Sequence, residues 1–199
     1  MKKILMLVSV LFIGFLAYGQ NIKKASGSLS ILKDINTISV SFTYEDMKVG
    51  KVTEEKYVEE KIEAYNKKKD GWGDEWHKAW LADREDRYEP KFMELFSKYL
   101  GEKDIEAIFL GKGDVKLIVN VDFIEPGFNV GVARKSASVD FTCRLVNKED
   151  GSEIAKVTIE DCSANNWGGN DYDVGFRVQE SFAKGGRELA KFIIKNAKL

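Results

Sequence analysis

The residue types best suited to binding chemistry are two tryptophans in glycine-rich polar surroundings, Asp70-Gly71-Trp72-Gly73-Asp74 and Asn165-Asn166-Trp167-Gly168-Gly169-Asn170-Asp171. An indole ring stacks on the apolar face of a sugar while nearby amides and carboxylates bond its hydroxyls. Trp72, Asp74, Trp167, Asn170 and Asp171 are therefore the candidate ligand-binding residues. The plainer alternative, and the favoured one, is that each ring folds back and plugs the end of the core. Asn166, Asn170, Asp171 and Asp173 also offer hard oxygen ligands, but their spacing matches no EF-hand loop, and a helix N-cap accounts for Asp173. Arg134 and Lys135, after the glycine-containing stretch 127–131, could hold an anion; a solvated loop explains them more simply.

Catalytic groups are scarce. Nucleophilic catalysis needs a base within reach, usually His, and His77 is the only one. Beside Trp76 on a charged helix, it reads as a surface or half-packed residue rather than a base or ligand. Structural zinc takes four Cys or His ligands, whereas this chain has three such residues at no ligand spacing. The chain lacks a G-x-S-x-G elbow, a G-x-x-x-x-G-K-[ST] phosphate loop and a G-x-G-x-x-G after a strand. Gly111-Lys112-Gly113 alone is too short to cradle a phosphate. Carboxylate pairs for glycoside hydrolysis can be chosen from Asp122, Glu125, Asp161 and Asp171, but in so acidic a chain they arise freely. No catalytic residue, metal or cofactor is assigned.

Composition narrows the classes further. The 199 residues are 44% hydrophobic and 32% charged, as in an ordinary globular domain, and Lys plus Arg number 31 against 32 for Asp plus Glu. No bulk charge draws the chain to nucleic acid, which is excluded as a partner. Lys2 and Lys3 precede an apolar run from Ile4 to Leu16, and Ala17-Tyr18-Gly19 offers small residues at the −3 and −1 positions. This pattern predicts a signal peptide over 1–19, cleaved between Gly19 and Gln20, and a periplasmic or extracellular protein. The run is too short for a membrane span and no Cys follows it to carry a lipid, so neither a span nor a lipid anchor is expected.

The elements that must position these residues follow from hydrophobic period. Residues 20–35 form a leader of uncertain order, and a single α+β domain occupies 36–199. Ile38, Val40, Phe42 and Tyr44 alternate with polar residues as a strand. Val58, Ile62 and Tyr65 mark one helix, Trp76 and Trp80 a second from about Asp74, and Phe92, Leu95, Phe96 and Tyr99 a third beginning near Pro90. Trp76 and Trp80 belong to a core stripe. Leu117, Val119, Val121 and Phe123 form the next strand, Pro126-Gly127 a type II turn, and Val139, Phe141, Cys143 and Leu145 a third strand. The fourth carries Ala155, Val157 and Ile159 opposite Leu145, Cys143 and Phe141. A final helix starts at Asp173 and tolerates Gly185-Gly186 in its middle if another backbone packs closely there. In that register Cys162 faces Ser138, roughly 17 Å from Cys143 at about 3.3 Å per residue. A disulfide needs Cα atoms within about 7 Å, so two free thiols are expected.

The end of the signal, Ala17-Tyr18-Gly19-Gln20, together with Phe123-Ile124-Glu125-Pro126-Gly127-Phe128-Asn129-Val130-Gly131-Val132, resembles uncharacterised exported proteins of Bacteroidota. The resemblance implies an exported compartment and transfers no catalytic residue. The element order is similar, at fold level, to the TolB N-terminal and CsgG-like envelope modules, which carry a lipid-bearing Cys that this chain lacks. The expected architecture is an antiparallel meander of about four strands packed on one face by helices. The expected function is a non-enzymatic envelope module that binds a protein partner or cell-wall glycan, with a small carboxylate-dependent hydrolase as the alternative. Nothing in the chain sets an oligomeric state.

Overall fold

A computed structural model describes residues 21–163 and 173–199. In chain order the elements are β1 (Ile22–Gly27), β2 (Thr37–Thr43), β3 (Lys48–Val49), β4 (Val52–Thr53), α1 (Glu54–Asn66), α2 (Trp72–Asp83), α3 (Glu89–Gly101), β5 (Glu106–Phe109), β6 (Val115–Glu125), β7 (Phe128–Asn129), β8 (Arg134–Lys135), β9 (Ser138–Asn147), β10 (Glu153–Ser163) and α4 (Val174–Ala197). The predicted signal peptide lies outside the described residues. Residues 20–35, expected as a leader of uncertain order, contribute β1, which pairs with β10.

The sheet corrects the expected four-strand antiparallel meander. It is a mixed sheet of eight strands in the order β1-β10-β9-β6-β2-β5, with β3 beside β6 and β4 beside β3. β2 runs parallel to both β5 and β6, and β3 parallel to β6. The reason is the long excursion through α1, α2 and α3, which returns the chain to the end of the sheet where β2 began. Parallel neighbours need such a crossover, whereas a tight turn makes antiparallel ones. The meander is confined to β6, β9 and β10.

Within it, Leu145, Cys143 and Phe141 pair with Ala155, Val157 and Ile159, as their alternation requires. Two bulges at one height then break the period. Asp122 is the extra residue between Val121 and Phe123, so Ile124 takes the core position that alternation assigns to Phe123. On β10 a second irregularity after Ile159 places Cys162 opposite Val139 instead of Ser138, with Asp161 at φ 54°. Cys143 and Cys162 are both free and buried.

Phe92 of α3 packs edge-on against Phe42 and Phe141, at 5.2 and 5.5 Å between centroids, and Phe182 of α4 stacks on Tyr88 at 5.0 Å. α3 and α4 cover one face of the sheet. The other presents Lys116, Asn120, Thr142, Arg144 and Thr158. At the α3–α4 crossing a Cβ on Gly186 would stand 2.2 Å from the Phe92 carbonyl oxygen, which is the close approach that Gly185-Gly186 implies. α2 and α3, expected as separate helices, are joined by a π-helical turn at Arg84–Tyr88.

Candidate functional site

β6 and β9 are linked by a narrow finger, the β7–β8 ribbon, whose sequence supplies each turn. Gly127 takes φ 63°, and a Cβ there would meet the Lys135 carbonyl oxygen at 2.3 Å, so only glycine closes the root. At the tip Gly131 takes φ 81°, its N–H donates to Asn129 Oδ1 at 3.1 Å, and the Val130 N–H donates to the Ala133 carbonyl. The root is pinned to α4 from both strands. The buried Arg177 donates to the carbonyls of Pro126 and Gly127, and Ser181 Oγ donates to that of Ala137 at 3.2 Å. Glu125 accepts from the Gly127 N–H at 3.1 Å and from Lys135 Nζ at 2.6 Å. Tyr57 of α1 lies close enough to Glu125 and Arg177 to feel their charges, and burial raises its phenol to about 12.

On this root the finger holds apolar side chains in water. Val132 is 99% exposed, Val130 65% and Phe128 44%. They alternate with Asn129 and Gly131, a period-two run that the sequence reading passed over, having taken 127–131 only as a glycine-containing stretch. Lys135, considered above as half of an anion site with Arg134, is instead committed to Glu125.

The candidate tryptophan residues do not form one site. Trp72 opens α2, 41% exposed, with Lys69 Nζ 5.2 Å from its ring centroid, so it plugs no core. Asp74, two residues on, is exposed on a different side, because residues at i and i+2 diverge around a helix. Gly73 lies against the Ile62 carbonyl, and its N–H donates to Asn66 Oδ1, which sets the tight turn between α1 and α2. Trp167, Asn170 and Asp171 lie outside the described residues. Trp76 lies near-parallel to both Tyr65 and Trp80, at 5.9 and 5.8 Å between centroids, as part of an aromatic cluster between α1 and α2. Trp80 is buried and donates Nε1–H to Glu54 at 2.7 Å; Glu54 also binds Arg84, whose guanidinium covers the Tyr44 ring.

Of the carboxylates considered for catalysis, Asp122 and Glu125 are engaged in hydrogen bonds within the fold. His77 is half-buried on α2. Asp122 accepts from Asn120 and from Thr142, at 2.7 and 2.6 Å, and Asp140 accepts from the Asp161 N–H. Burial pushes the Asp140 carboxyl above its usual range, with Glu160, Asp161 and Asp122 adding to the shift. Arg87 bridges Asp83 and Asp173, at 3.1 and 2.9 Å, and Asp173 caps α4 by accepting from the Gly175 N–H. Among the described residues no cluster of three or more His, Cys, Asp or Glu is arranged to hold a metal, and no helix is long and apolar enough to cross a membrane.

No family model and no curated protein matches the chain. Among solved structures, a Xanthomonas campestris protein of the DUF330 family has a TM-score of 0.39 at 12% identity, over 55% of this chain and 62% of its own. The PelC dodecamer of Paraburkholderia phytofirmans scores 0.38 at 10% identity, over 84% of this chain and 95% of its own; a point variant of it scores 0.35 at 9%, over 81% and 93%. These neighbours are DUF330 and PelC proteins rather than TolB or CsgG, the likeness suggested by element order. Likeness at this level transfers neither a fold family nor a function.

Proposed function

We propose that the protein is a non-enzymatic module of the cell envelope that docks on a partner protein through the β7–β8 finger. The observation that carries this reading is the fully exposed Val132 on a hairpin whose root is fastened to α4 by Arg177 and Ser181. A pre-ordered apolar tip loses little conformational freedom on binding, which is the economy of a docking knob. Burying a Val or Phe side chain supplies about 1.5–3 kcal/mol, so three such residues anchor an interface that other contacts must complete. A lipid surface is the weaker fit. Three side chains alone do not hold a protein to a bilayer, and Lys135 is already neutralised by Glu125 rather than forming a basic patch. The envelope setting rests on the export expected from Lys2, Lys3 and the apolar run 4–16.

A photo-crosslinking residue at position 132, in cells that make the protein, tests the reading against the same probe at Glu63, exposed on α1. A discrete protein adduct from 132 alone is expected, and its purified partner should bind the unmodified protein. Lipid adducts alone, or equal labelling from both positions, would overturn it. The glycan reading retains Trp72, whose ring is exposed; stabilisation by a cell-wall glycan that Trp72→Ala abolishes would favour it.

A further inference from the structure

β5 and β6 both run parallel to β2 and flank it, yet no helix joins them. The connection is the strap Leu110–Asp114, which crosses β2 on the face opposite the helices. It is stapled at both ends: the Leu110 N–H donates to the Val40 carbonyl and the Asp114 N–H to that of Thr37. The Asp114 carboxylate accepts from Thr37 Oγ1 and from the N–H groups of Thr37 and Asn36, which holds it below the usual carboxylate range. The crossing requires small residues. A Cβ on Gly113 would lie 2.4 Å from the Ser39 nitrogen, and Ser39 is buried beneath the strap with Oγ donating to the Gly111 carbonyl at 2.7 Å.

This strap walls a cavity of about 400 Å³, lined by Ser39, Gly111, Gly113 and Val115 and by Lys112, Lys116 and Lys148. The three lysines come from separate places: the strap, β6, and the β9–β10 turn. Among the described residues none of their side chains has a hydrogen bond or ion pair within 4.0 Å, and the N–H groups of Gly111, Lys112 and Gly113 have no protein acceptor. Asp114, the neighbouring carboxylate, spends its hydrogen bonds on Thr37 and Asn36, while the Lys148 charge also reaches it. Three lysines gathered at one mouth, beside amide donors without a protein acceptor, give it a local positive charge that favours an anion. Gly111-Lys112-Gly113 is too short to bind a phosphate unaided; the fold adds Lys116 and Lys148.

We infer that this cavity binds an oxyanion, such as the phosphate or carboxylate group of an acidic sugar. The inference is independent of the finger. Titration of the full chain with sodium pyrophosphate, sodium glucuronate and a neutral disaccharide, read by calorimetry, tests it. Pyrophosphate or glucuronate should bind near or below about 1 mM, with affinity falling as salt rises; which of the two binds separates phosphate from carboxylate sources. Lys116→Gln with Lys148→Gln should weaken binding at least tenfold, while Lys56→Gln with Lys78→Gln, exposed on α1 and α2, should not. Thermal melting confirms that both pairs fold, since each replaces exposed lysines. Equal weakening by the two pairs, or no anion binding, would overturn the inference.

Discussion

Gly186→Ala separates the demands of the helix from those of the fold. Within α4, alanine is favoured over glycine by about 1 kcal/mol, so helix propensity alone predicts stabilisation. In the folded protein the new Cβ would lie 2.2 Å from the Phe92 carbonyl oxygen, where ordinary contact begins at 3.4 Å. The atom it meets is helix backbone, which cannot rotate away, so α3 and α4 must separate by about 1 Å, disturbing the fully buried Phe92 and Phe182. Overpacking of this kind costs typically 1–3 kcal/mol, and loss of tight packing around two buried rings puts this case at the top of the range. The net is a destabilisation of about 2 kcal/mol, or a fall in Tm of about 4–8 °C. Gly101→Ala is the matched control, because nothing lies within 4 Å of its Cβ. Differential scanning calorimetry of both variants decides the matter. If Gly186→Ala raises Tm as Gly101→Ala does, the close α3–α4 crossing is wrong.

Asp114→Asn should lower Tm at neutral pH by loosening the strap. Because the carboxyl is depressed in the folded state, its contribution is present above the unfolded pKa and lost as pH falls through the folded one, so the difference from wild type should vanish in acid. Glu89 has the opposite sign. Burial raises its carboxyl, so the native state holds its proton more tightly and stability declines as pH climbs through the window above the ordinary glutamate value. Glu89→Gln should therefore gain on wild type with rising pH across that window, measured by urea unfolding. Cys143 and Cys162 should be inert to a thiol reagent in the native protein and react together only on denaturation, since burial pushes both thiols up, Cys162 to about 12.

Features set by neighbouring residues were legible in the chain, and those set by distant ones were not. The pairing of Leu145, Cys143 and Phe141 with Ala155, Val157 and Ile159 followed from one alternation meeting another, and Asp173 announced the start of α4. β1 is different, because Ile22–Gly27 has no apolar alternation and is a strand only by virtue of β10. The parallel placement of β2 depends on where three helices return the chain, which no local period encodes. The π-helical turn that fuses α2 to α3 looked like a boundary because Pro90 is a good helix start. At the candidate site, the alternation of Phe128, Val130 and Val132 was passed over, because their exposure on an ordered finger depends on Arg177 and Ser181 fastening the root from another element. Trp72 and Asp74 were grouped by residue type and adjacency, and the helix then turned them apart.

The docking claim is tested most directly by Val132→Asp, with thermal stability and affinity for the crosslinked partner measured on the same protein. Val132 touches solvent almost entirely, so Tm should stay within the change of about 0.5 kcal/mol expected of a surface substitution. Partner affinity should fall at least tenfold, about 1.4 kcal/mol, as a charge enters an apolar socket. Unchanged affinity with unchanged Tm would contradict the finger as the docking element.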